Sequence, residues 1–375
     1  MRELTRRRRS ILVLLAALLV TLVTTSAPAL AADGRTGAVY TLTNSASRNE
    51  VVVFQRAADG TLTPSGRFAT EGRGTGAGLG SQGAVVLSSD DRWLLAVNAG
   101  SNEISSFAVT GNGLLLRSTV DSSGVKPISV TVADDLVYAL NGGDDTTPPN
   151  IAGFRLRQNG SLAAIRGSSR PLSAPNADPA QIQFGRDGRV LVVTEKATNL
   201  IDTYVVGSRG RPTGPSAHPS AGETPFGFAF DGQAHVIVSD AFGGRPGESA
   251  LSSYEVGNTG TLTTITPLAP DGQTAACWVV IAKHGRFAYT TNTGSANISS
   301  YTVASDGSLS LLNAVAGSTG AGPIDAAVSS FSRYLYTLDS GSHGISAFAV
   351  ADDGSLAPLP GTSGLPDSAV GLAAR

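Results

Sequence analysis

The stretch CWVVIAKHGRFAYTTNTGSANISSYTVASDGSLSLL, residues 277–312, contains the unit from which most of the chain is built. It begins with a continuous apolar run, residues 277–282, and continues through two segments, residues 287–291 and 298–303, in which apolar and polar residues alternate. An Asp-Gly pair then leads into a last short apolar segment. Alternation with a period of two, interrupted by turn residues, predicts four antiparallel strands joined by short loops.

The same unit recurs seven times at a spacing of about fifty residues, and two of its positions can be aligned by eye. One position is aromatic: Phe54, Phe107, Phe154, Tyr204, Tyr254, Tyr301 and Phe348. The other, six residues later, is a glycine: Gly60, Gly113, Gly160, Gly210, Gly260, Gly307 and Gly354. Such a period in a strand-rich chain indicates sheets that bury their faces against neighbouring repeats. We therefore predict an all-β, seven-bladed β-propeller with four-stranded antiparallel blades.

The two ends of the chain complete one blade between them. The first repeat lacks the strand that should lie innermost, because only residues 38–43 and 51–54 precede its aromatic position. The missing strand is found at the other end, where residues 368–373 imitate the segment that follows Pro323. We predict that this C-terminal strand pairs beside residues 38–43 and closes the first blade, which leaves no open sheet edge in the ring.

The N-terminus has the pattern of an export signal. Arginines in the first ten residues precede an apolar run, residues 11–23, and Ala29 and Ala31 offer a small-x-small cleavage site. This run is shorter than the roughly twenty residues of a spanning helix. We predict a signal peptide, residues 1–31, cleaved near Ala31, and a propeller domain, residues 32–375. The protein would be secreted by the general or the twin-arginine route, with no membrane span after cleavage.

Composition excludes several classes of function. Cys277 is the only cysteine, so no intramolecular disulfide can form, and the net charge is −2 with no basic stripe after the signal. The sequence thus argues against nucleic acid as a partner. The four histidines show no metal-ligand spacing, and we predict neither a metal nor a cofactor. We expect a monomer.

One polar residue ends the second strand of every repeat, at the mouth of the predicted channel. The seven are Asn44, Asn98, Asn141, Glu195, Asp240, Asn292 and Asp339. Two interpretations remain open, since such side chains can bind the backbone of the next loop or a ligand at the channel mouth. The glycine-rich run from Gly72 to Gly80 is predicted to be a flexible loop on the same side.

Blades four and five depart from the repeat, and the departures supply the catalytic candidates. Glu195 is followed by Lys196, which suggests a general base beside a cationic clamp, or else a structural ion pair. Asp240 precedes a long loop that contains Arg245 and could overhang the mouth. Cys277, with Trp278, begins the inner strand of blade six near the same mouth, although a free cysteine is more often a buried apolar residue. The predicted substrate-binding residues are Asn98, Asn141, Gln181, Phe226, Cys277, Trp278, Asn292, Asp339 and His343.

The amino-acid sequence of the repeats resembles that of the lactonase family of seven-bladed propellers, for example in residues 289–295, 298–301 and 306–309. That family includes 6-phosphogluconolactonase and fungal carboxymuconate cyclases. The likeness extends from about residue 37 to residue 375. It implies metal-free hydrolysis or formation of a lactone, a small-molecule ligand, at the channel mouth.

The chain departs from the family at the positions that would bind an anionic lactone. Family members typically begin the fifth inner strand with Gly-Pro-Arg-His, end the next strand with Asn-Glu-Leu, and often carry a histidine in blade four. Here the corresponding residues are Thr224, Pro225, Phe226 and Gly227, then Ser239, Asp240 and Ala241, and finally Gln181. The absent arginine and histidine point away from phosphogluconolactone and towards an uncharged or weakly charged lactone.

Two functions follow from these observations. The first is an exported lactonase-like enzyme, with Glu195 or Asp240 as base and Lys196 or Arg245 stabilising the developing oxyanion. The alternative is a non-catalytic extracellular propeller that binds a saccharide, a peptide or a cell-envelope partner at the mouth loops.

Overall fold

Seven antiparallel sheets follow one another along the chain, and apart from the last strand of the chain and a divided strand in the third sheet, consecutive strands of a sheet are hydrogen-bonded neighbours. The structure is a computed structural model that describes residues 35–111 and 113–375. The predicted signal peptide, residues 1–31, lies outside the described residues. The prediction of an all-β, seven-bladed propeller with four-stranded antiparallel blades is confirmed.

The strands are numbered in chain order, and successive groups of them form the blades. Blade one contains β1 (Gly37–Leu42), β2 (Glu50–Arg56) and β3 (Leu62–Ala69); blade two contains β4 (Val85–Leu87), β5 (Trp93–Asn98), β6 (Glu103–Thr110) and β7 (Gly113–Asp121); blade three contains β8 (Pro127–Ala133), β9 (Leu136–Asn141), β10 (Asn150–Leu156), β11 (Leu162–Ala164) and β12 (Arg170–Pro171). Blade four contains β13 (Pro179–Phe184), β14 (Val190–Glu195), β15 (Leu200–Val206) and β16 (Pro212–Pro219); blade five contains β17 (Pro225–Phe230), β18 (His235–Asp240), β19 (Ala250–Val256) and β20 (Leu262–Pro270). Blade six contains β21 (Ala276–Ala282), β22 (Phe287–Asn292), β23 (Asn297–Val303) and β24 (Leu309–Ser318); blade seven contains β25 (Pro323–Val328), β26 (Tyr334–Asp339), β27 (Gly344–Val350) and β28 (Leu356–Ser363), and β29 (Val370–Ala374) ends the chain.

Two short 3₁₀ helices, Phe242–Gly244 and Ser330–Ser332, interrupt the strand pattern. In blade three the outer strand is divided into β11 and β12, which both pair with β10. Across the described ranges, no helix has the length and apolar character needed to cross a membrane.

The C-terminal strand closes the first blade, as the sequence predicts. β29 pairs antiparallel with β1, with Val39 opposite Ala374 and Thr41 opposite Leu372. The backbone of Arg375 continues the contact, since its amide donates to the Ala38 carbonyl at 3.0 Å. The inner strand of blade one therefore comes from the opposite end of the chain, and the closed ring depends on its last residues.

The aromatic and glycine positions of the repeat have separate structural roles. All seven aromatic side chains are buried, and each such burial contributes about 1.5–3 kcal/mol of hydrophobic stabilisation. The glycines occupy turns that pack against the preceding blade. At Gly354, for example, φ is +84° and a Cβ atom would lie 2.5 Å from the Phe287 ring. Glycine is required there by both the backbone angle and the close approach.

Candidate active site

The polar residues that end the second strand of each blade form hydrogen bonds with neighbouring loops and strands. All seven are at most 1% exposed. Asn98 accepts hydrogen bonds from the Asn49 amide and the Thr70 hydroxyl, and it donates to Ser105. Asn141 donates to the Ser122 carbonyl. Asn292 donates to the side chains of Asn297 and Ser299. Asp339 accepts from the Gly320 amide and the Ser346 hydroxyl.

These contacts favour the structural interpretation of the ring. The side chains of Asn98, Asn141, Asn292 and Asp339, for which a substrate-binding role is predicted, are buried and bind loop backbone and neighbouring side chains instead of facing an open surface.

Glu195, the predicted base, is enclosed in the interior of blade four. Its carboxylate accepts hydrogen bonds from the Ser173 amide at 3.1 Å, from the Ser173 hydroxyl at 2.9 Å and from the Thr198 hydroxyl. Asp202 shares the Ser173 amide at 2.9 Å, and burial together with the charge of Glu195 raises the pKa of Asp202 to about 7. Glu195 is thus half of a buried carboxylate pair, and its side chain is 0% exposed, so the structure places the predicted base away from any open surface.

The second predicted base, Asp240, is also out of reach. The residue is buried, and its Oδ1 atom accepts a hydrogen bond from the Ser220 hydroxyl at 3.4 Å. Its Oδ2 atom has no hydrogen-bond partner among the described residues. Burial raises the pKa of Asp240 to about 8, so the carboxyl group is mostly protonated at neutral pH. A neutral, enclosed acid cannot act as a base on a substrate.

Arg245 belongs to the loop after Asp240, as predicted, but its charge is already paired. Its guanidinium donates to Glu223 at 3.0 Å and to Glu248 at 2.7 Å, with the side chain 46% exposed. The tip of the loop does approach the mouth, since the Gly243 amide donates to the Thr224 hydroxyl at 3.0 Å. The loop therefore supplies backbone to the site, whereas the predicted clamp Arg245 pairs with Glu248 of its own loop and with Glu223 before β17.

The central channel is closed on the mouth side by residues 79–83, which we call the crossing segment. Its Gln82 side chain donates to the Val279 carbonyl at 3.1 Å and accepts from the Val279 amide at 3.3 Å. The Gln82 backbone amide donates to the Ala180 carbonyl at 3.1 Å. The segment thus links blade two to blades four and six across the ring. The glycine-rich run that leads to it was predicted to be a flexible loop, and the structure instead ties it down at both ends.

Below the crossing segment the channel is a cavity of about 420 Å³. Its wall residues are fully buried near the start of the inner strands, as at Val85 and Val130, and half-buried near the end, as at Leu87 and Val132. The cavity therefore approaches solvent on the face opposite the mouth. Gln181 lies in its wall and bridges blades: its amide nitrogen donates to the Phe228 carbonyl at 2.9 Å and its oxygen accepts from the Phe228 amide at 2.7 Å. Both polar atoms of this predicted substrate-binding residue are thus engaged in a bridge between blades four and five.

An open groove lies on the mouth face beside the crossing segment, and we call it the Lys196 groove. It has a volume of about 420 Å³ and lies over blades four, five and six. The lining residues are Asp178, Lys196, Ala197, Thr224, Phe226, Ala241, Gly243, Gly244, Ala275 and Cys277. Three of the sequence candidates, Lys196, Phe226 and Cys277, are therefore brought together.

Among the described residues, Lys196 provides the only ammonium group that lines this groove. Its Nζ atom lies 2.8 Å from the Gly80 carbonyl oxygen, 3.4 Å from Asp178 Oδ1 and 4.7 Å from the centroid of the Phe226 ring. The side chain is only 9% exposed, and burial lowers the pKa of Lys196 below its ordinary value. The ammonium is thus fixed by a carbonyl, a carboxylate and an aromatic face, which are the groups that stabilise a partly desolvated cation.

The Phe226 ring lies under Lys196, and the predicted substrate-binding residue Trp278 is buried against Phe226 without lining the groove. Their rings meet edge to face, with centroids 4.8 Å apart at an interplanar angle of 88°. Cys277 lies alongside but is buried, and burial raises the pKa of its thiol to about 11. The thiol is protonated at neutral pH, so Cys277 contributes surface to the groove and no nucleophile. His343 is in blade seven, 3.4 Å from Asp367, and is not part of the groove lining.

Asp178 is a site residue that the sequence analysis missed. It stands immediately before the proline that begins β13, with φ at +45°, and its carbonyl accepts from the Lys196 amide at 3.2 Å. Thr224 has the equivalent place before β17, also with a positive φ, and it too lines the groove. The repeat does indicate this position, because the residue that precedes each inner strand can be aligned between blades and differs in chemistry from blade to blade.

No group of three or more His, Cys, Asp and Glu side chains in the described part of the chain is arranged to hold a metal ion. The polar groups of the Lys196 groove are one ammonium, one carboxylate and one threonine hydroxyl, together with loop backbone. Such a set can bind a neutral carbonyl compound, polarise its carbonyl and accept a proton.

Comparison with known proteins identifies the family. The family described as "Lactonase, 7-bladed beta-propeller" matches residues 37–166 and 242–363, which is more than half of the chain. No curated protein sequence matches the chain. The unmatched interval, residues 167–241, contains Asp178, Lys196 and Phe226.

Solved structures agree on the fold. A periplasmic gluconolactonase from Pseudomonas aeruginosa is similar with a TM-score of 0.69 at 18% identity, over 90% of this chain and 99% of that one. A protein from Bacteroides fragilis, described as a candidate 6-phosphogluconolactonase, has a TM-score of 0.68 at 20% identity, over 91% and 98%. A protein from Lactobacillus plantarum has a TM-score of 0.70 at 17% identity, over 90% and 99%. At these identities the structures show the fold alone, and the family match adds the membership: the chain belongs to the lactonase family of seven-bladed β-propellers.

Proposed function

We propose that the protein is an exported enzyme that opens or forms a neutral lactone in the Lys196 groove, without a metal. The observation that carries the proposal is the fixed ammonium of Lys196 in an open groove, with the Asp178 carboxylate 3.4 Å away and an aromatic ring beneath. A lactone carbonyl needs a positive charge near its oxygen and a base for water. These two side chains supply both.

The charges of the groove support a neutral substrate. Lys196 is the only cation among its described lining residues, and Asp178 already offsets that charge. A phosphorylated lactone would bring two more negative charges towards Asp178 with no arginine or histidine in that lining to meet them. The glycine-rich wall and the Phe226 ring suit a flat, uncharged ring instead.

The reaction follows from the two charged groups. The Lys196 ammonium donates a hydrogen bond to the lactone carbonyl oxygen and stabilises the negative charge that develops there. Asp178 accepts a proton from a water molecule as the water oxygen attacks the carbonyl carbon. The ring carbon–oxygen bond then breaks, and the leaving oxygen takes the proton from Asp178 to give a hydroxy acid. Lactone formation is the reverse sequence.

A binding-only function is the second candidate, and one observation favours it. The two carboxylates first expected to act as bases, Glu195 and Asp240, are both enclosed, so catalysis depends on Asp178, whose side chain is 68% exposed and solvated. In that case the groove would hold a saccharide or another extracellular ligand without turning it over.

Export and a monomeric state remain parts of the proposal. The arginine-rich start, the apolar run and the Ala-Leu-Ala motif support cleavage near Ala31. Mass spectrometry of protein recovered from culture medium should give a chain that begins near Ala32. A mature protein that retains residues 1–31 would contradict the export proposal, and light scattering checks the oligomeric state.

Turnover measurements test the catalytic function. Purified protein is assayed against neutral γ- and δ-lactones and against a phosphorylated lactone, with Lys196→Met and Lys283→Met as paired variants. Lys283 also binds an aspartate, Asp352, at 3.1 Å, but on the face opposite the mouth. We expect turnover of a neutral lactone that falls by about a hundredfold or more in Lys196→Met and is unchanged in Lys283→Met. Saturable binding without turnover by the wild type would support the binding function, and equal turnover by both variants would remove Lys196 from the mechanism.

A further inference from the structure

The ammonium of Lys196 is oriented by a segment that comes from another part of the ring. Lys196 lies in blade four, whereas its carbonyl partner Gly80 belongs to the crossing segment between blades one and two. At Gly80, φ is +60° and a Cβ atom would lie 3.3 Å from the Lys196 Nζ atom. Glycine thus allows both the turn and the close approach of its carbonyl to the amine.

Four anchors hold the crossing segment in place. The Ser81 hydroxyl donates to the Ile128 carbonyl at 2.7 Å, and the Gln82 backbone amide donates to the Ala180 carbonyl. The third anchor is the Gly83 carbonyl, which accepts from the Val130 amide at 2.8 Å. The fourth is the Gln82 side chain, which is 7% exposed and forms two hydrogen bonds with the backbone of Val279 on the far side of the channel. Val279 lies in the same strand as the groove residue Cys277, so this anchor connects the segment to the opposite wall of the site.

We propose that Gln82 is a positioning residue of the Lys196 groove: by fixing the crossing segment to Val279, it holds the Gly80 carbonyl against the Lys196 ammonium. The expected effect of Gln82 on turnover rests on the proposed function, whereas its effect on the position of the Lys196 ammonium does not.

Loss of the Gln82 side chain should loosen the crossing segment, because the remaining anchors hold it only to blades three and four. Gly78, just before the segment, is so open that a Cβ atom added there would have no described heavy atom within 4 Å, and the chain at this point has room to move. If the segment moves away, Lys196 loses one hydrogen-bond acceptor and gains access to water. A lysine side chain released in this way regains rotamer freedom worth up to about 2 kcal/mol, and the ammonium no longer has one fixed position.

The groups that face Lys196 determine how its pKa would change if the crossing segment moved. Burial is the largest influence and lowers its pKa, Asp178 raises it, and the more distant Cys277 and Lys126 act in opposite directions. Because displacement of the crossing segment would relieve part of the burial, which is the largest influence, the midpoint of Lys196 titration should move up, towards that of an ordinary lysine.

Gln181 provides a matched control. It is 5% exposed and forms the same pair of hydrogen bonds, donor and acceptor, with the backbone of Phe228 in the next blade. Gln82→Leu and Gln181→Leu each remove one such bridge between blades. Only the first removes an anchor of the segment that contacts Lys196.

The experiment measures the reactivity of Lys196 towards an amine-acetylating reagent as a function of pH, with peptide mass spectrometry to read that single residue. In Gln82→Leu the midpoint of labelling should rise relative to the wild type, whereas in Gln181→Leu it should stay at the wild-type value. With a lactone that the wild type turns over, kcat of Gln82→Leu should fall by roughly tenfold or more, with a smaller change in KM, because orientation is lost and not binding.

An unchanged midpoint in Gln82→Leu, or equal shifts in both variants, would overturn the proposal. If Gln82→Leu does not fold, Gln82→Met takes its place, because methionine keeps the length of the side chain, adds no charge and removes both hydrogen bonds to Val279. This variant should show a shift in the same direction, and no shift would again overturn the proposal. Labelling needs no turnover, so the absence of lactonase activity would contradict the proposed function and leave this test intact.

Discussion

Two lysine–aspartate pairs in this propeller have nearly the same internal geometry and very different surroundings. Lys196 lies 3.4 Å from Asp178 with its side chain 9% exposed, and Lys283 lies 3.1 Å from Asp352 with its side chain 14% exposed. The first pair lines an open groove and has an aromatic ring below the ammonium. The second joins two surface turns of blades six and seven.

The difference shows that an ion pair does not make a site by itself. Exposed pairs contribute about 0–1 kcal/mol to stability, and many contribute nothing measurable. What distinguishes Lys196 is the set of groups that fix its ammonium at the wall of a cavity: the Gly80 carbonyl, the Phe226 ring and a carboxylate with access to water. A change in Lys196 or Asp178 should therefore affect turnover, whereas the same change in Lys283 or Asp352 should not.

We expect the largest effect from opening the ring, because both lysine–aspartate pairs depend on its closure. Deletion of residues 370–375 removes β29, in which Val370 and Leu372 are buried. Truncating one buried leucine to alanine already costs about 2–5 kcal/mol, against a total stability of about 5–15 kcal/mol for a typical domain. We expect no cooperative melting transition in circular dichroism, whereas deletion of Arg375 alone should preserve the transition at a lower temperature. A normal melt without β29 would contradict the account of closure.

The next effect separates the two aspartates. Asp178→Asn should reduce turnover of a neutral lactone by about a hundredfold, because an amide cannot accept the proton from water. Asp352→Asn makes the same change in the second pair and should leave kcat and KM at wild-type values. Steady-state kinetics of the two variants check this prediction. Equal activities would mean that Asp178 only balances the charge of Lys196.

How far the sequence predicts this arrangement differs between fold and site. The repeat predicts the blades, the inner strands and the closure by the C-terminus, because each of these follows from strand periodicity and turn chemistry within about fifty residues. It also indicates Lys196, Phe226 and Cys277, since the repeat assigns all three to one face.

The sequence does not reveal which of two adjacent residues, Glu195 or Lys196, faces the groove. Glu195 turns inward because Ser173 and Thr198 satisfy its carboxylate, and those partners come from two different loops. The closure of the channel mouth was also missed. Gln82 contacts a residue 197 positions away, and nothing in the local pattern of a glycine-rich loop specifies so distant a partner.

A smaller effect concerns the carboxyl groups behind the groove. Burial raises the pKa of Asp240 to about 8 in the folded state, whereas an unfolded aspartate titrates near 4. The folded protein therefore retains a proton that the unfolded chain releases, so the stabilisation is complete below about pH 4 and is lost as the pH rises towards 8. This one group makes stability fall by up to about 1.4 kcal/mol per pH unit in that window.

Asp240→Asn removes this dependence, because an amide does not titrate. The free energy of unfolding, measured with denaturant from pH 4 to pH 9, should fall less steeply in the variant than in the wild type. At pH 9 the variant should be the more stable protein. Parallel curves for the two proteins would show that Asp240 does not retain its proton in the fold.

The smallest effect is on the stability of the two lysine variants. Lys196→Met removes a cation whose pKa is lowered by burial, so the folded state no longer has to desolvate it, and the melting temperature at pH 7 should stay the same or rise slightly. The advantage should shrink as the pH approaches that of lysine titration in the unfolded chain, because the wild-type amine is then neutral as well. Lys283→Met should change the melting temperature little at any pH. A large loss of stability in Lys196→Met would indicate a structural role for that ion pair.

The most direct test of the Lys196 groove is a crystal structure with a bound neutral lactam, which has the shape and carbonyl of a lactone but resists hydrolysis. The account predicts the lactam ring over Phe226, with its carbonyl oxygen within hydrogen-bond distance of the Lys196 Nζ atom and with Asp178 beside the carbonyl carbon. A lactam bound in the central channel, or at any place where Lys196 does not contact it, would contradict the central claim.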